Sequence, residues 1–299
     1  MKKAIITGIT GQDGYLLSKY LKKKNYLVIG LSRKLNKDKK IIKTNYSKKS
    51  IEKIINFFKP DEIYNLTGFT NPSRSWKYPQ KNFFANLNIT LNFLEILKKH
   101  KKIKFFNACS SEIFSDSNSP LNENSKISPI NPYGVAKSAS YFLLNAYRKK
   151  YGLFLINAIL FNHASYRSEK NFLLSYLLSF CKKIKENKTK KITIKDSRPI
   201  RDFGCAKDYV TYFHKLMKLK QSGNFVIASG KSYSVKQITN IFKKKFNIPT
   251  NTFNFKNELN FKNTFRSRKA NNNKLIKTLK IRSIKKLPRI IDEMMNDLK

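Results

Sequence analysis

Short apolar runs and longer amphipathic stretches alternate along the chain from its first residues. "KKAIITGIT" is an apolar run broken by glycines, and "GYLLSKYLKKKN" after it repeats apolar positions at helical spacing. "YLVIGLSR", "IIKTNY", "PDEIYNLTG", "IKFFNACSS" and "LFLINAILFN" continue the series as strands. Between them lie the helical stretches "SIEKIINFFK", a long one over 78–100, and "PYGVAKSASYFLLNAYRKKYG", closed by Gly152. Over 78–100 the apolar positions Phe84, Leu87, Leu91, Leu94 and Leu97 recur on one helical face. This alternation predicts an α/β fold, a Rossmann-like doubly wound parallel sheet.

Beyond residue 163 the rhythm loosens. A helix near 169–187 is followed by "RDFGCAKDYVTYFHKLMK", read as a loop and a helix, then the strand "NFVIASG" and the helix "SVKQITNIFKKKF". The stretch 247–273 is Asn-rich, with weak periodicity, and reads as loop. A last amphipathic helix carries Ile290, Ile291, Met294 and Leu298 on one face. The organisation predicted is a dinucleotide-binding domain over 1–160 plus about 203–228. A smaller substrate-binding cap follows, mainly C-terminal, over 161–202 and 229–299.

Composition narrows the class. Forty per cent apolar residues over 299 positions are enough for a folded core. Three scattered cysteines, Cys109, Cys181 and Cys205, form neither a disulfide framework nor a metal-ligand spacing, which fits a reducing cytoplasmic setting. No apolar run approaches a membrane span, and "AIITGIT" is too short for a signal peptide. The charge is extreme, 62 Lys plus Arg against 18 Asp plus Glu, a net +44. The lysines are spread in pairs and triplets near helix ends, the pattern of a solvated surface more than of a nucleic-acid face. Such a field also draws anionic nucleotides.

Three places carry chemistry. Gly8, Gly11 and Gly14 in "TGITGQDG" join the first strand to the first helix, where bare backbone and a helix N-terminus receive a pyrophosphate. The second strand ends in Arg33 and Lys34, where an acidic residue would bind ribose hydroxyls; a basic pair suits a 2′-phosphate and so NADP. Tyr133 and Lys137 in "YGVAK" lie one helical turn apart, so the ammonium is placed to lower the phenol's pKa for proton abstraction. The remaining puzzle is "NACSSEIF": Ser110, Ser111 and Glu112 end a buried strand, an awkward place for a carboxylate.

The stretches "ITGITGQDGYLL", "PDEIYNL", "NACSSEIF", "NPYGVAKSASY", "YGLFLINAILFNHAS", "RDFGCAKDYV" and "NFVIASGKSYSVKQI" occur in order from residue 4 to about 240. Together they resemble the extended short-chain dehydrogenase/reductases, and among those the GDP-mannose 4,6-dehydratase family. The resemblance implies a lyase that turns GDP-mannose into a 4-keto-6-deoxy product with NADP recycled in place. It implies that Glu112 is the C5 base, raised in pKa by partial burial, that Ser110 hydrogen-bonds the C4 oxygen in place of the family's threonine, and that Ser111 orients substrate or Glu112. Tyr133 and Lys137 complete the catalytic set. The "GQDG" loop, with Gln12 and Asp13, would serve the cofactor, as would His163. Asn162, Arg201 and Arg266 look like contacts to the substrate diphosphate, and the family suggests a homo-oligomer, dimer or tetramer.

The sequence departs from that pattern in places. Ser175 and Tyr176 stand where the family has a basic segment touching the nucleotide, the third strand ends with Asn45 instead of an Asp-Leu pair, and "RSRK" replaces an Arg-Pro-x-Glu stretch. A related GDP-sugar such as a GDP-heptose, a 4-epimerase or 4-keto reductase on the same fold, and a catalytically degenerate nucleotide-binding homologue are the alternative readings.

Overall fold

The computed structural model describes residues 1–186, 189, 191–194, 196–256 and 267–296. Strands β1 (Lys3–Thr7), β2 (Leu27–Ser32) and β3 (Ile41–Lys43) alternate with helices α1 (Gln12–Lys23) and α2 (Lys48–Phe58). Then follow β4 (Glu62–Asn65), the short helices α3 (Pro72–Lys77) and α4 (Pro79–Phe83), a π-helical turn over Phe84–Asn88, and α5 (Ile89–Leu97). Next come β5 (Lys104–Ser110), a 3-10 turn over Ser111–Ile113, α6 (Pro132–Tyr151) and β6 (Leu155–Leu160). The later part comprises β7 (Asn162–Ala164), α7 (Leu173–Lys185), β8 (Ile192–Ile194), β9 (Ile200–Cys205), α8 (Ala206–Met217), β10 (Asn224–Ile227) and β11 (Ser232–Ser234). It closes with α9 (Val235–Phe246), β12 (Phe253–Phe255), β13 (Ser267–Arg268), α10 (Asn273–Leu279) and α11 (Leu287–Asn296).

Seven strands form one parallel sheet in the order β10-β6-β5-β4-β1-β2-β3. Chain direction across the sheet reverses between β1 and β4, which opens a crevice at the strand C-termini. Thr7, Ser32, Asn65, Ser110 and Leu160 end there, so Gly8, Arg33 and Glu112 all follow strands on that edge. Successive residues of a strand face opposite layers. Phe105 accordingly joins a core with Phe93, Ile55 and Leu144, while Phe106 joins the other with Leu17, Tyr209 and Phe213. Leu275 of α10 packs into the latter. A separate apolar cluster gathers Leu177, Phe242, Phe246, Ile290, Ile291 and Met294 from α7, α9 and α11.

Lysines crowd the last turns of α1, α7 and α9, where they meet the negative end of the helix dipole. Among the described residues no helix is long and apolar enough to cross a membrane.

Four expectations differ, the first being that the Asn-rich stretch over 247–273, expected as loop, contains strands β12 and β13, which pair with the distant β8 and β9. The helix over 78–100 is interrupted by the π turn, whose extra residue rotates the buried face. Phe84 is thereby exposed, Leu87 and Leu91 are half-buried, and Ala85, Ile89, Phe93 and Ile96 supply the core with Leu94 and Leu97. "IRDFGC", the start of the predicted loop, is strand β9, the centre of a small sheet with β11, β13 and β7. The helix expected near 169–187 starts at Leu173. Residues 257–266 and Leu298 lie outside the described part, so the Arg266 expectation does too.

Candidate active site

The glycine loop sits where β1 hands over to α1. Gly8 has φ +66°, and a Cβ there would come within 2.9 Å of the Leu66 backbone, so only glycine fits. Gly11 begins α1 with no side-chain cap, and the Tyr15 N–H is bonded to the Gly11 carbonyl at 3.0 Å. The N–H groups of the first turn stay directed at the crevice, a cradle for pyrophosphate. Gly14 lies within that turn, and Arg33 and Lys34 are exposed just past β2. The loop's residues and the helix terminus thus fit a dinucleotide.

Gln12 and Asp13 do more than line that cradle. The Asp13 carboxylate lies 2.8 Å from His163 Nε2, and the His163 ring stacks on Tyr209 at 4.6 Å. Gln12 Oε1 accepts from Ser165 Oγ at 2.9 Å and also from Ser168 Oγ. Burial opposes both charges, but their mutual attraction and hydrogen bonding prevail: Asp13 is held below its ordinary pKa and His163 above its own. The phosphate loop is thereby latched to β7 and the segment after it.

Across the crevice, α6 begins with Asn131 as N-cap, its Oδ1 accepting from the Gly134 N–H at 2.8 Å. The Tyr133 N–H donates to Ser75 Oγ of α3 at 3.2 Å. Tyr133 and Lys137 are both buried. The expected pull of the ammonium on the phenol is not what the structure has: Lys137 Nζ donates to the Ala108 carbonyl at 2.7 Å and lies 5.9 Å from the Tyr133 ring centre. Burial, weakly opposed by a hydrogen bond with Ser110, holds the phenol well above its ordinary value. Burial also brings Lys137 down to about 8.

Ser110 ends β5, and its Oγ accepts from the Glu112 N–H at 3.2 Å, which shapes the 3-10 turn carrying the carboxylate. Ser111 is buried in the same turn. The Glu112 charge is close enough to bear on Tyr133. The expected carboxylate in a desolvating wall is instead a paired one: Arg268 Nη1 donates to Oε1, and Asn131 Nδ2 donates to Oε2 at 2.8 Å. Arg268 Nε lies 3.2 Å from Asp116, which also lies 3.8 Å from Arg201. Asn162 is exposed at the head of β7.

Sequence reasoning missed Asn131, Arg268 and Asp116. The Asn-Pro pair before a helix was a visible cap signal. Arg268, one of 62 basic residues, carried no local signal, because β13 is two residues long and its partner β9 is distant in sequence.

A seven-stranded doubly wound sheet, a glycine loop at its switch point and a buried Tyr-x-x-x-Lys facing a Ser-x-Glu turn define an extended short-chain dehydrogenase/reductase. The comparisons make that narrower. Residues 5–283 match the family described as GDP-mannose 4,6 dehydratase. The chain is 30% identical over 265 residues to GDP-mannose 4,6 dehydratase 1 of Arabidopsis thaliana, covering 80% of this chain and 73% of that one. It is 31% identical over 270 residues to the GDP-mannose 4,6-dehydratase of Vibrio cholerae, covering 83% and 73%. In fold it resembles the dTDP-glucose 4,6-dehydratase of Bacillus anthracis, solved in complex with NAD, at TM-score 0.85 and 15% identity over 99% of this chain and 96% of that one. The chain belongs to the GDP-mannose 4,6-dehydratase family.

Proposed function

We propose that the protein is a nucleotide-sugar 4,6-dehydratase acting on GDP-mannose, with NADP as its resident cofactor. The observation that carries this is Glu112 beside Ser110 and Tyr133 at the C-terminal edge of the sheet, with a dinucleotide cradle at the neighbouring switch point. A nicotinamide dinucleotide held by the Gly8, Gly11 and Gly14 loop and the first turn of α1 would supply reversible hydride transfer between C4 and C6.

The chain's own groups manage the protons. Only the phenolate form of Tyr133, which burial disfavours, takes the proton of the C4 hydroxyl, with Ser110 hydrogen-bonding the same oxygen. The carbonyl so formed acidifies C5–H. Glu112 removes that proton and passes it to the C6 hydroxyl, which leaves as water. Tyr133 then returns its proton to C5, so the reaction is a net loss of water without redox change. Lys137, with an ammonium of lowered pKa at the phenol's helix turn, holds the ribose and the local positive charge.

Arg33 and Lys34 support the 2′-phosphate reading. A groove of about 630 Å³ between α7 and β8 is lined by Lys170, Tyr176, Lys183 and Lys191, which offers the nucleotide end both a ring to stack on and positive charge. In this reading, residues 1–160 with about 203–228 hold the cofactor together with α10, whose Leu275 packs into the same core, and 161–202 with the rest of 229–299 hold the sugar nucleotide. Asn162 and Arg201 would meet its diphosphate.

The test incubates purified protein with GDP-mannose and follows the 4-keto product by mass, after the bound cofactor is released and identified. Wild type is expected to lose 18 mass units from substrate, on the order of one water per turnover, without net NADPH consumption. E112Q should abolish product while keeping cofactor. No 4-keto sugar from any GDP-hexose would sink the assignment, and steady NADPH consumption would make the protein a reductase.

A further inference from the structure

The buried ionic group behind Glu112 has no place in the chemistry so far. Arg268 is 3% exposed and reaches two carboxylates, Glu112 and Asp116. Its position follows from strand pairing: β13 runs parallel to β9 with Arg268 opposite Arg201, so two guanidiniums stand side by side with Asp116 between them. Glu112 is then held from both sides, Arg268 on Oε1 and Asn131 on Oε2. Asn131 is itself fixed as the cap of α6, the helix that carries Tyr133 and Lys137.

We propose that Arg268 is a positioning residue for dehydration: through Oε1 it sets the orientation of the Glu112 carboxylate relative to Tyr133, and Asn131 completes the brace. This rests on the assignment of Glu112 as the C5 base. The base stands on a three-residue turn and has three rotatable side-chain bonds, so its aim at C5–H needs external support. Arginine suits the role because its guanidinium has no acceptor and keeps its protons. It can hold the carboxylate without competing for the proton in transit. A diphosphate clamp is the rival role for this arginine. Burial argues against it, since turning to a phosphate would leave two carboxylates, Glu112 and Asp116, without the guanidinium that lies between them.

The experiment uses the full chain with its cofactor, as wild type, R268Q, R268K and E112Q. Four quantities are read with GDP-mannose: kcat and KM for dehydration, absorbance at about 340 nm from C4 oxidation, and deuterium uptake at C5 from heavy water. R268Q is expected to lower kcat and C5 exchange together by about 100-fold, with KM within about threefold and C4 oxidation intact. R268K, which keeps the charge but not the fork, should recover part of the loss. A raised KM at unchanged kcat in either variant would make Arg268 a substrate clamp and overturn the proposal, as would wild-type kcat in R268Q. If R268Q does not fold, as judged by circular dichroism, R268K alone decides on the same two criteria. Failure of the dehydratase reading shows separately, as a wild type without C4 oxidation or an E112Q that still dehydrates.

Discussion

Gly134 lies inside the Tyr-x-x-x-Lys motif, and the sequence gives no reason for it beyond helix length. In the structure a Cβ at this position would fall 2.3 Å from the Glu112 carbonyl oxygen and 3.0 Å from Pro129. The first turn of α6 therefore rests directly on the turn that holds the carboxylate, and the absent side chain sets how closely Tyr133 and Glu112 approach. Overpacking of this kind costs about 1–3 kcal/mol. G134A should lower stability by that amount in urea unfolding, and should slow dehydration more than it weakens cofactor binding, because the Tyr133–Glu112 spacing widens while the glycine loop is untouched. Equal stability and activity in G134A would show that the two turns are free to separate. At this scale local spacing displayed Tyr133 and Lys137, and the family resemblance singled out Ser110 and Glu112 at the strand end. Arg268 and Asn131, which hold Glu112, were hidden because contact across 156 and 19 residues leaves no local trace.

Among the elements, α1 and β7 are tied by Asp13 and His163. Asp13 has a pKa below its ordinary 3.8, so its stabilising contribution is present above that value and is lost as pH falls further. His163 has a pKa above its ordinary 6.5, so its contribution is full below 6.5 and is lost as pH rises through the raised value. The latch is therefore strongest between pH 3.8 and 6.5 and weakens on the alkaline side. Nuclear magnetic resonance of the three histidines should show His163 titrating above an ordinary histidine in wild type and lower in D13N. An unchanged His163 in D13N would mean that the pair does not form. The strand-helix alternation that frames this latch was legible, because each element's apolar period is local. The π turn in 78–100 was not: buried Asn86, bonded to Asn82 at 2.6 Å and to Phe69, belongs to tertiary contacts that rotate the helix face.

For the whole molecule the dominant fact is a net charge of +44. Much of it sits on exposed lysines at helix ends, where salt screens it over about 8 Å at physiological ionic strength. If that field gathers an anionic nucleotide-sugar, raising NaCl from about 50 to 500 mM should raise KM severalfold with kcat nearly unchanged. A salt-independent KM would confine the electrostatics of binding to short contacts in the crevice. The three cysteines are buried, and burial lifts the Cys109 and Cys205 thiols to about 11, so all three are weakly reactive at neutral pH.

By itself the sequence determined the alternating elements, the parallel sheet, the glycine turn and the Tyr133–Lys137 pair. Each depends on backbone preference, hydrophobic period or spacing within a few turns of chain. Tertiary structure alone decided what surrounds them. It put a guanidinium on Glu112, aimed the Lys137 ammonium at a backbone carbonyl and bound the glycine loop to His163. Those outcomes depend on which distant strands pair and on how burial weighs against charge, and both are settled only when the chain has closed on itself.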